Sequence, residues 1–591
     1  MSQVPCVHQA VTSSLHRVLN VRAPDGVAVR KNLQRWPTLL GIVVLVFVAR
    51  LTLATRFDLF ADETLYAWQS SVMPGSFCPH PPGVLLMVKA GMALLGKTEL
   101  GVRLFPMLLT TLMLIPLWLL AREVGNATET GSGERIAFWT CLAALAAPIY
   151  FALGVVTTPD GSQLFFWMWA LLFAWHALHT GRLRWWLLCG TTVGLGLFIK
   201  YILVLFIPAL FLCLMLVPQW RAHLKTPGPW LCTLTAFVLF VPPFLRHEYS
   251  HDWITVAYHL QNRQTRQLPT LANIGVYQGI HAAYYSPLLY MAAIAGFVWV
   301  AREGWKRRDA NLLFLFCFAA VPYAFFALIA AVTKRGLSRE QWDAPAYATA
   351  LLAAVLWAHS LWARGLWAHS REKRSQENLW RDESENGRPP RTHHSNPIQR
   401  WGIVTLGLGF MMSLLVVIEG VSGAVSGAVG SRPLLASLIG ARQMAHAIDA
   451  QVEAGAFRPN FLVGNNFSTA LSYAFYGHHL PYFTIGDKYN AKYGLVQVLR
   501  PVGIGPDFIK QHRGESALLV VEEHIRPRKA ALRRAKTLQE LKPHFRSVRS
   551  GEPIEVRLFG HLVKRYGTFL CSGLTSTPQR WILSENNREH Q

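Results

Sequence analysis

The feature that leaves this chain the fewest options is its series of long apolar runs. About 20 helical residues cross the hydrocarbon core of a bilayer, so an uninterrupted apolar stretch of about that length reads as a crossing. Such stretches recur at residues 37–55, 101–121, 136–155, 163–179, 185–199, 201–217, 230–245, 280–300, 311–332, 344–363 and 401–419, about eleven in all. Of 591 residues, 52% are hydrophobic and 15% charged, against roughly 25% charged in a soluble domain. A soluble protein is excluded, and a polytopic α-helical membrane protein is expected.

Lys and Arg give the expected orientation, because they concentrate in cytoplasmic loops. With the N-terminus inside, the inner loops hold Arg122 and Arg135, Arg182 and Arg184, Arg221 and Lys225, and Arg302 to Arg308. Residues 1–36 then read as a cytoplasmic tail, and the polar stretch 364–400 as a flexible cytoplasmic loop. Residues 333–343, with Lys334, Arg335 and Arg339, run against this bias. The apolar segment 83–96 is short and carries Lys89. Counting it as a span would turn every later basic loop outward, so it is expected to lie on the outer surface. Residues 37–420 thus form the transmembrane domain, with a large outer loop at 57–100.

The low-complexity joint 421–430 leads into residues 431–591. There the short apolar runs Phe461–Gly464 and Ala517–Val521 suit buried strands, 525–541 favours a helix and 553–569 a hairpin. An odd span count makes this α/β domain soluble and extracytoplasmic. The formal charge of +24 is accounted for by topology and anionic lipid headgroups, and no nucleic-acid motif accompanies it. Of eight cysteines five lie in apolar runs, and there is no CxxC, which argues against a disulfide framework or a zinc site. Neither a P-loop nor Gly-x-Ser-x-Gly is present, which argues against ATP-driven work and serine hydrolysis.

Chemistry is expected where polar groups meet the outer membrane face, since ionisable residues at membrane depth are costly and tend to be functional. Asp62 and Glu63 follow span one, with Tyr66 one turn on. They suit either a general base with a supporting carboxylate or an acidic helix start. His80, in Cys78-Pro-His-Pro-Pro-Gly83, sits in a rigid turn and suits a phosphate, a metal or simple packing. Arg103 suits a phosphate or a headgroup. Asp160, in Thr157-Thr-Pro-Asp160, is a second carboxylate or a helix cap. Lys200 splits the apolar stretch 185–217 and suits a phosphate or a pairing with Asp160. In the loop 246–279, Glu248, His251 and Asp252 fit no recognised metal spacing. Trp342 and Tyr347 suit the interfacial belt, and a Trp also stacks on sugar rings.

In order, Asp62-Glu63-x-x-Tyr66, His80-Pro-Pro-Gly83, Arg103-Leu-Phe-Pro, Thr158-Pro-Asp160, Lys200-Tyr201 and Gln341-Trp342-x-x-Pro345-Ala-Tyr347 resemble the bacterial protein O-mannosyltransferase and aminoarabinose-transferase family, which has the GT-C fold. The likeness runs through roughly residues 37–360. It implies a polyprenyl-phosphate-linked sugar donor, transfer with inversion to a lipid or protein acceptor, and an inner-membrane location with the C-terminal domain in the periplasm. It implies Asp62 or Glu63 as base with Asp160 as second carboxylate, Lys200 and Arg103 as phosphate ligands, and His80, Tyr66, Tyr201 and Trp342 as orienting residues. A divalent metal is left open, with His80 as the candidate ligand. Gln341 departs from the His found in relatives, which weakens a metal at that position. The alternatives are a lipid-linked-sugar transporter or flippase, which would show inverted repeats, and a glycan-binding scaffold.

Overall fold

The computed structural model describes residues 26–128, 132–261, 270–332, 341–381, 397–429, 435–455, 457–486 and 498–583. It divides into two compact units, residues 1–45 and 46–591. The first contains the beginning of the helix Gly26–Arg56. The second holds the rest of the helical bundle together with a six-stranded sheet.

The polytopic helical fold with a C-terminal sheet is borne out. Among the described residues, six helices are long and apolar enough to cross a membrane: Trp36–Arg56, Glu99–Ala127, Pro227–Ser250, Ala310–Val332, Ala344–Arg364 and Arg400–Ser422. Two bent pairs raise the number to eight, compared with about eleven expected stretches. The difference comes from breaks, from short pieces and from the continuous 22-residue helix Pro159–Thr180, which is long enough but not among the helices apolar enough to count. The stretch 136–155 is Gly133–Ala146 followed by Pro148–Leu153, because Pro148 cannot donate into the preceding turn. The stretch 280–300 is interrupted at Ser286, whose φ of 74° precedes Pro287. The helices on either side, Leu271–Tyr285 and Pro287–Arg307, bend by 115°. Leu183–Leu197 has 15 residues. Gly83–Leu95 is a 13-residue apolar helix, too short to span.

Three sequence-based boundaries move. Helix begins at Gly26, inside the supposed tail. The helix from Ala344 runs on to Arg381, so the first half of the supposed loop 364–400 is helical, while 382–396 lies outside the described residues. The joint at 421–430 contains the helix Ala424–Val429, entered through Gly423 at φ +67°, a conformation that glycine adopts without steric cost.

The sheet has the order β2-β1-β3-β6-β4, with β5 also on β6. Strands β1 (Phe461–Gly464), β2 (Tyr482–Thr484) and β3 (Ala517–Glu523) run parallel. The long β6 (His561–Leu574) is antiparallel to β3, β4 (Phe545–Ser550) and β5 (Ile554–Leu558). Strands β1 and β3 are buried on both faces, which requires a cover on each. On one face Phe461, Val463, Leu519 and Val521 pack with Leu541, Phe545 and Phe569. On the other, Leu462, Leu518 and Val520 pack with the helices Ala441–Glu453 and Phe467–Tyr476, and this core continues into Tyr66, Ala67, Val84, Leu85 and Val88 of the bundle.

Polar contacts reinforce that seam. Asp58 accepts from the backbone N–H groups of Gly440 (2.7 Å) and Arg442 (3.2 Å), which caps the helix Ala441–Glu453 from the bundle side. The Arg442 guanidinium pairs with Glu99 and approaches Asp58 at 3.5 Å. The Leu59 N–H donates to the Tyr476 hydroxyl at 2.8 Å. Burial, helped by Glu99 and Asp58, pushes that hydroxyl well above its ordinary pKa, so it stays protonated.

Candidate functional site

Asp62 and Glu63 begin the helix Ala61–Val72, and neighbouring side chains on a helix diverge. Asp62 is exposed, whereas Glu63 is 0% exposed. Glu63 takes Arg103 Nε at 2.8 Å and Nη2 at 2.6 Å, and also the backbone N–H groups of Phe60 (2.9 Å) and Thr157 (2.7 Å). Arg103 gives its other hydrogens to the carbonyls of Ala54, Phe57 and Asp58 at 2.7–2.8 Å. All five N–H groups of the guanidinium are therefore occupied, at 1% exposure. This corrects two expectations. Arg103 has no hydrogen left for a substrate phosphate, and Glu63 has no capacity to serve as base. The pair instead ties the end of the first span to the helix that starts at Glu99 and to the turn before Asp160.

The remaining candidates are joined by a series of local contacts. Asp62 and Tyr66 are four residues apart, hence on one helix face. The Tyr66 ring lies 6.1 Å from that of His80. His80 belongs to the turn 76–83, which is bonded to the segment 198–201 at two points. The Gly83 N–H donates to the Phe198 carbonyl at 2.7 Å, and the Tyr201 hydroxyl donates to the Phe77 carbonyl. Any side chain at Gly83 would meet that Phe198 oxygen at 2.5 Å, so glycine is required by close backbone approach. Lys200 follows directly. Its ammonium pairs with Asp160 and lies 5.7 Å from the centre of the Trp342 ring. Asp160 is 4% and Lys200 7% exposed, so the ion pair is largely withdrawn from water, and its charges interact more strongly than they would in water.

Among the described residues no three His, Cys, Asp or Glu side chains converge as a metal site. Glu248 is buried and accepts from the Thr255 and Val256 N–H groups at 3.1 Å and from His247 Nδ1 at 3.2 Å. It therefore caps the helix Ile254–Gln261, while His251 contacts the His247 carbonyl at 2.8 Å.

Sequence reasoning missed two groups. Arg50, inside the first span, is buried and donates to Thr111 Oγ1 (2.9 Å) and the Tyr150 carbonyl (2.6 Å). Asp343, beside Trp342, receives His281 Nε2 at 2.9 Å and the Tyr277 hydroxyl. A histidine inside an apolar stretch and a carboxylate next to a site tryptophan were the available signals.

The broken spans, the short helices of residues 57–100 and the sheet packed upon them make a helical protein with several membrane spans and a C-terminal sheet domain. Comparison with known proteins bears out the likeness to the mannosyltransferase and aminoarabinose-transferase family. Residues 79–245 match the family model described as dolichyl-phosphate-mannose-protein mannosyltransferase. The undecaprenyl phosphate-alpha-4-amino-4-deoxy-L-arabinose arabinosyl transferase of Pseudomonas aeruginosa is 28% identical over 297 residues, 45% of this chain and 50% of the relative. A second such transferase, from Pseudomonas fluorescens, is 27% identical, covering 50% of this chain and 56% of the relative. The chain thus spans about half the length of the curated relatives it matches. The structure of ArnT from Cupriavidus metallidurans superposes with a TM-score of 0.58 at 16% identity, over 90% of this chain and 98% of that one. The same protein bound to undecaprenyl phosphate gives 0.57 at 14% identity, with the same coverage. At these identities the likeness to ArnT is one of fold.

Proposed function

We propose that this chain is a glycosyltransferase that moves a sugar from a polyprenyl-phosphate donor to a hydroxyl or phosphate group of a lipid or protein acceptor. In this reading it works at the outer face of the inner membrane, with residues 431–591 on the periplasmic side. The observation that carries the proposal is the buried Asp160–Lys200 pair beside Trp342, linked through the turn 76–83 to the helix bearing Asp62. The name of the aminoarabinose relatives and the undecaprenyl phosphate bound to ArnT support a C55-type lipid carrier.

Transfer with inversion is a displacement at the anomeric carbon. The bond from that carbon to the donor phosphate oxygen breaks as a new bond to the acceptor oxygen forms on the opposite face. Asp62, at the exposed start of its helix, takes the acceptor proton as its oxygen becomes electron-poor. Lys200 meets the negative charge that grows on the departing polyprenyl phosphate, and its poorly hydrated position makes that interaction stronger than in water. Asp160 holds the ammonium in place before the donor arrives. Tyr66, His80, Tyr201 and Trp342 are the residues assigned in this reading to the sugar ring and its hydroxyls.

The test is an intact-mass comparison of envelope lipids and proteins from a strain lacking the gene, one with it restored, and one carrying Asp62→Asn at equal expression. A sugar-sized mass lost on deletion, regained with the wild type and absent with Asp62→Asn supports transfer and identifies both sugar and acceptor. Full restoration by Asp62→Asn removes Asp62 as the base and moves the transporter and scaffold readings ahead.

A further inference from the structure

The buried polar cluster around Asp343 lies outside the transfer chemistry. Asp343 is 1% exposed and His281 0%. Besides the Asp343 contacts already described, His281 Nδ1 donates to the Tyr277 carbonyl at 2.7 Å. A carbonyl only accepts, so Nδ1 carries hydrogen, and the proton between Nε2 and Asp343 is shared by that pair. The His281 ring stacks on Tyr347 with centroids 5.2 Å apart. Nearby, the Tyr150 hydroxyl donates to the Ala344 carbonyl at 2.8 Å, and the Asp343 carbonyl accepts from the Ala346 N–H at 2.8 Å.

A carboxylate sunk among apolar helices is costly, and well-packed hydrophobic residues would often serve stability as well. The cluster does, however, anchor one short piece of backbone. It pins the turn 341–343 and the first turn of the helix Ala344–Arg381 to the helix Leu271–Tyr285. Trp342 lies within that turn, half-buried, with its ring 5.7 Å from the Lys200 ammonium and 5.7 Å from the Phe326 ring. A lysine stem is flexible and its head a compact charge. An ammonium held by a carboxylate and an aromatic face has fewer orientations to lose when a phosphate arrives, which is preorganisation in the ordinary sense.

We propose that Asp343, with His281 and Tyr277, is a positioning network that holds Trp342 against Lys200 and thereby aims the ammonium at the departing phosphate. The inference rests on the reading of Lys200 as the phosphate-binding residue. Asp343 touches no substrate and acts through Trp342 and Lys200.

The experiment measures undecaprenyl phosphate binding to the full chain in lipid nanodiscs, for the wild type, Lys200→Met, Trp342→Leu, Asp343→Asn, Tyr277→Phe and the double variant Lys200→Met/Asp343→Asn. Each single variant should weaken binding, with Asp343→Asn and Trp342→Leu on the order of tenfold, the scale of a desolvated cation–π contact. In the Lys200→Met background, Asp343→Asn should add nothing, because the group it positions is gone. An equal factor in both backgrounds, or a smaller binding-competent fraction at unchanged affinity, would mean a purely structural role and overturn the proposal. If Asp343→Asn fails to fold, Tyr277→Phe carries the test, since it removes one hydroxyl and keeps the ring; unchanged affinity there also overturns it. If Lys200→Met itself binds like the wild type, the reading of Lys200 fails and the inference falls with it. If Lys200→Met weakens binding and Asp343→Asn does not, the inference alone is lost.

Discussion

Asp62 and Glu63 are consecutive in the chain, yet their replacement should have opposite consequences. Glu63→Ala would strand the Arg103 guanidinium, which is 1% exposed, without its counter-charge. Removing one partner of a buried ion pair costs about 3–5 kcal/mol. The Phe60 and Thr157 N–H groups would also lose their acceptor, and a buried orphan donor costs about 1–3 kcal/mol. These losses overlap, but about 4 kcal/mol is a large part of the 5–15 kcal/mol that holds a typical protein folded. The variant should accumulate poorly and melt early when purified in detergent and followed by size-exclusion chromatography after heating. Asp62→Asn changes an exposed side chain, where substitutions stay within about 0.5 kcal/mol. It should elute and melt like the wild type while losing about 10²–10⁴-fold in transfer rate, the contribution of a positioned base. A Glu63→Ala protein of wild-type stability that transfers no sugar would refute this assignment and put Glu63 in the chemistry.

Asp160→Ala should lower the melting temperature by removing the carboxylate partner of the buried Lys200 ammonium, and added undecaprenyl phosphate should restore part of that loss by supplying a replacement anion; thermal melts with and without the lipid measure both effects. Asp58→Ala should cost about 1–2 kcal/mol, the value of a helix cap, and show in hydrogen exchange as earlier opening of residues 440–445. Gly91→Val should destabilise by about 1–3 kcal/mol or more, because a Cβ at Gly91 would stand 2.1 Å from the Gly101 carbonyl oxygen; a melt at wild-type temperature would contradict the close packing of those two helices. Arg442→Met should weaken the seam between sheet and bundle by removing contacts to Asp58 and Glu99, making amide exchange faster throughout the helix Ala441–Glu453.

Much of the architecture was legible from residue order. Apolar runs mark where helices lie, because backbone groups in lipid must be satisfied within the segment. The apolar strands Phe461–Gly464 and Ala517–Glu523 and the hairpin of β5 and β6 follow from local pattern as well. The candidate site was legible as a pool of residue types, since Asp62, Tyr66, His80, Asp160, Lys200, Tyr201 and Trp342 are polar or amphipathic groups near the ends of apolar runs. The 115° bend at Ser286 was not legible, because Ser286-Pro287 signals a break in the helix but the φ of 74° that sets its direction belongs to the folded chain.

Which carboxylate stays exposed and which is consumed by structure depended on tertiary contacts. Glu63 and Arg103 are 40 residues apart, and nothing local to either tells that the guanidinium's five hydrogens will find two carboxylate oxygens and three carbonyls. The Asp343–His281 contact joins residues 62 apart, and Asp58 caps a helix 382 residues downstream. Sequence by itself therefore determined the membrane class, the strand positions and the pool of candidate groups, since hydrophobic transfer and backbone hydrogen bonding act on short segments. Only the folded structure assigned partners within that pool, because the pairing of buried charges depends on which chain segments come within about 3 Å of one another.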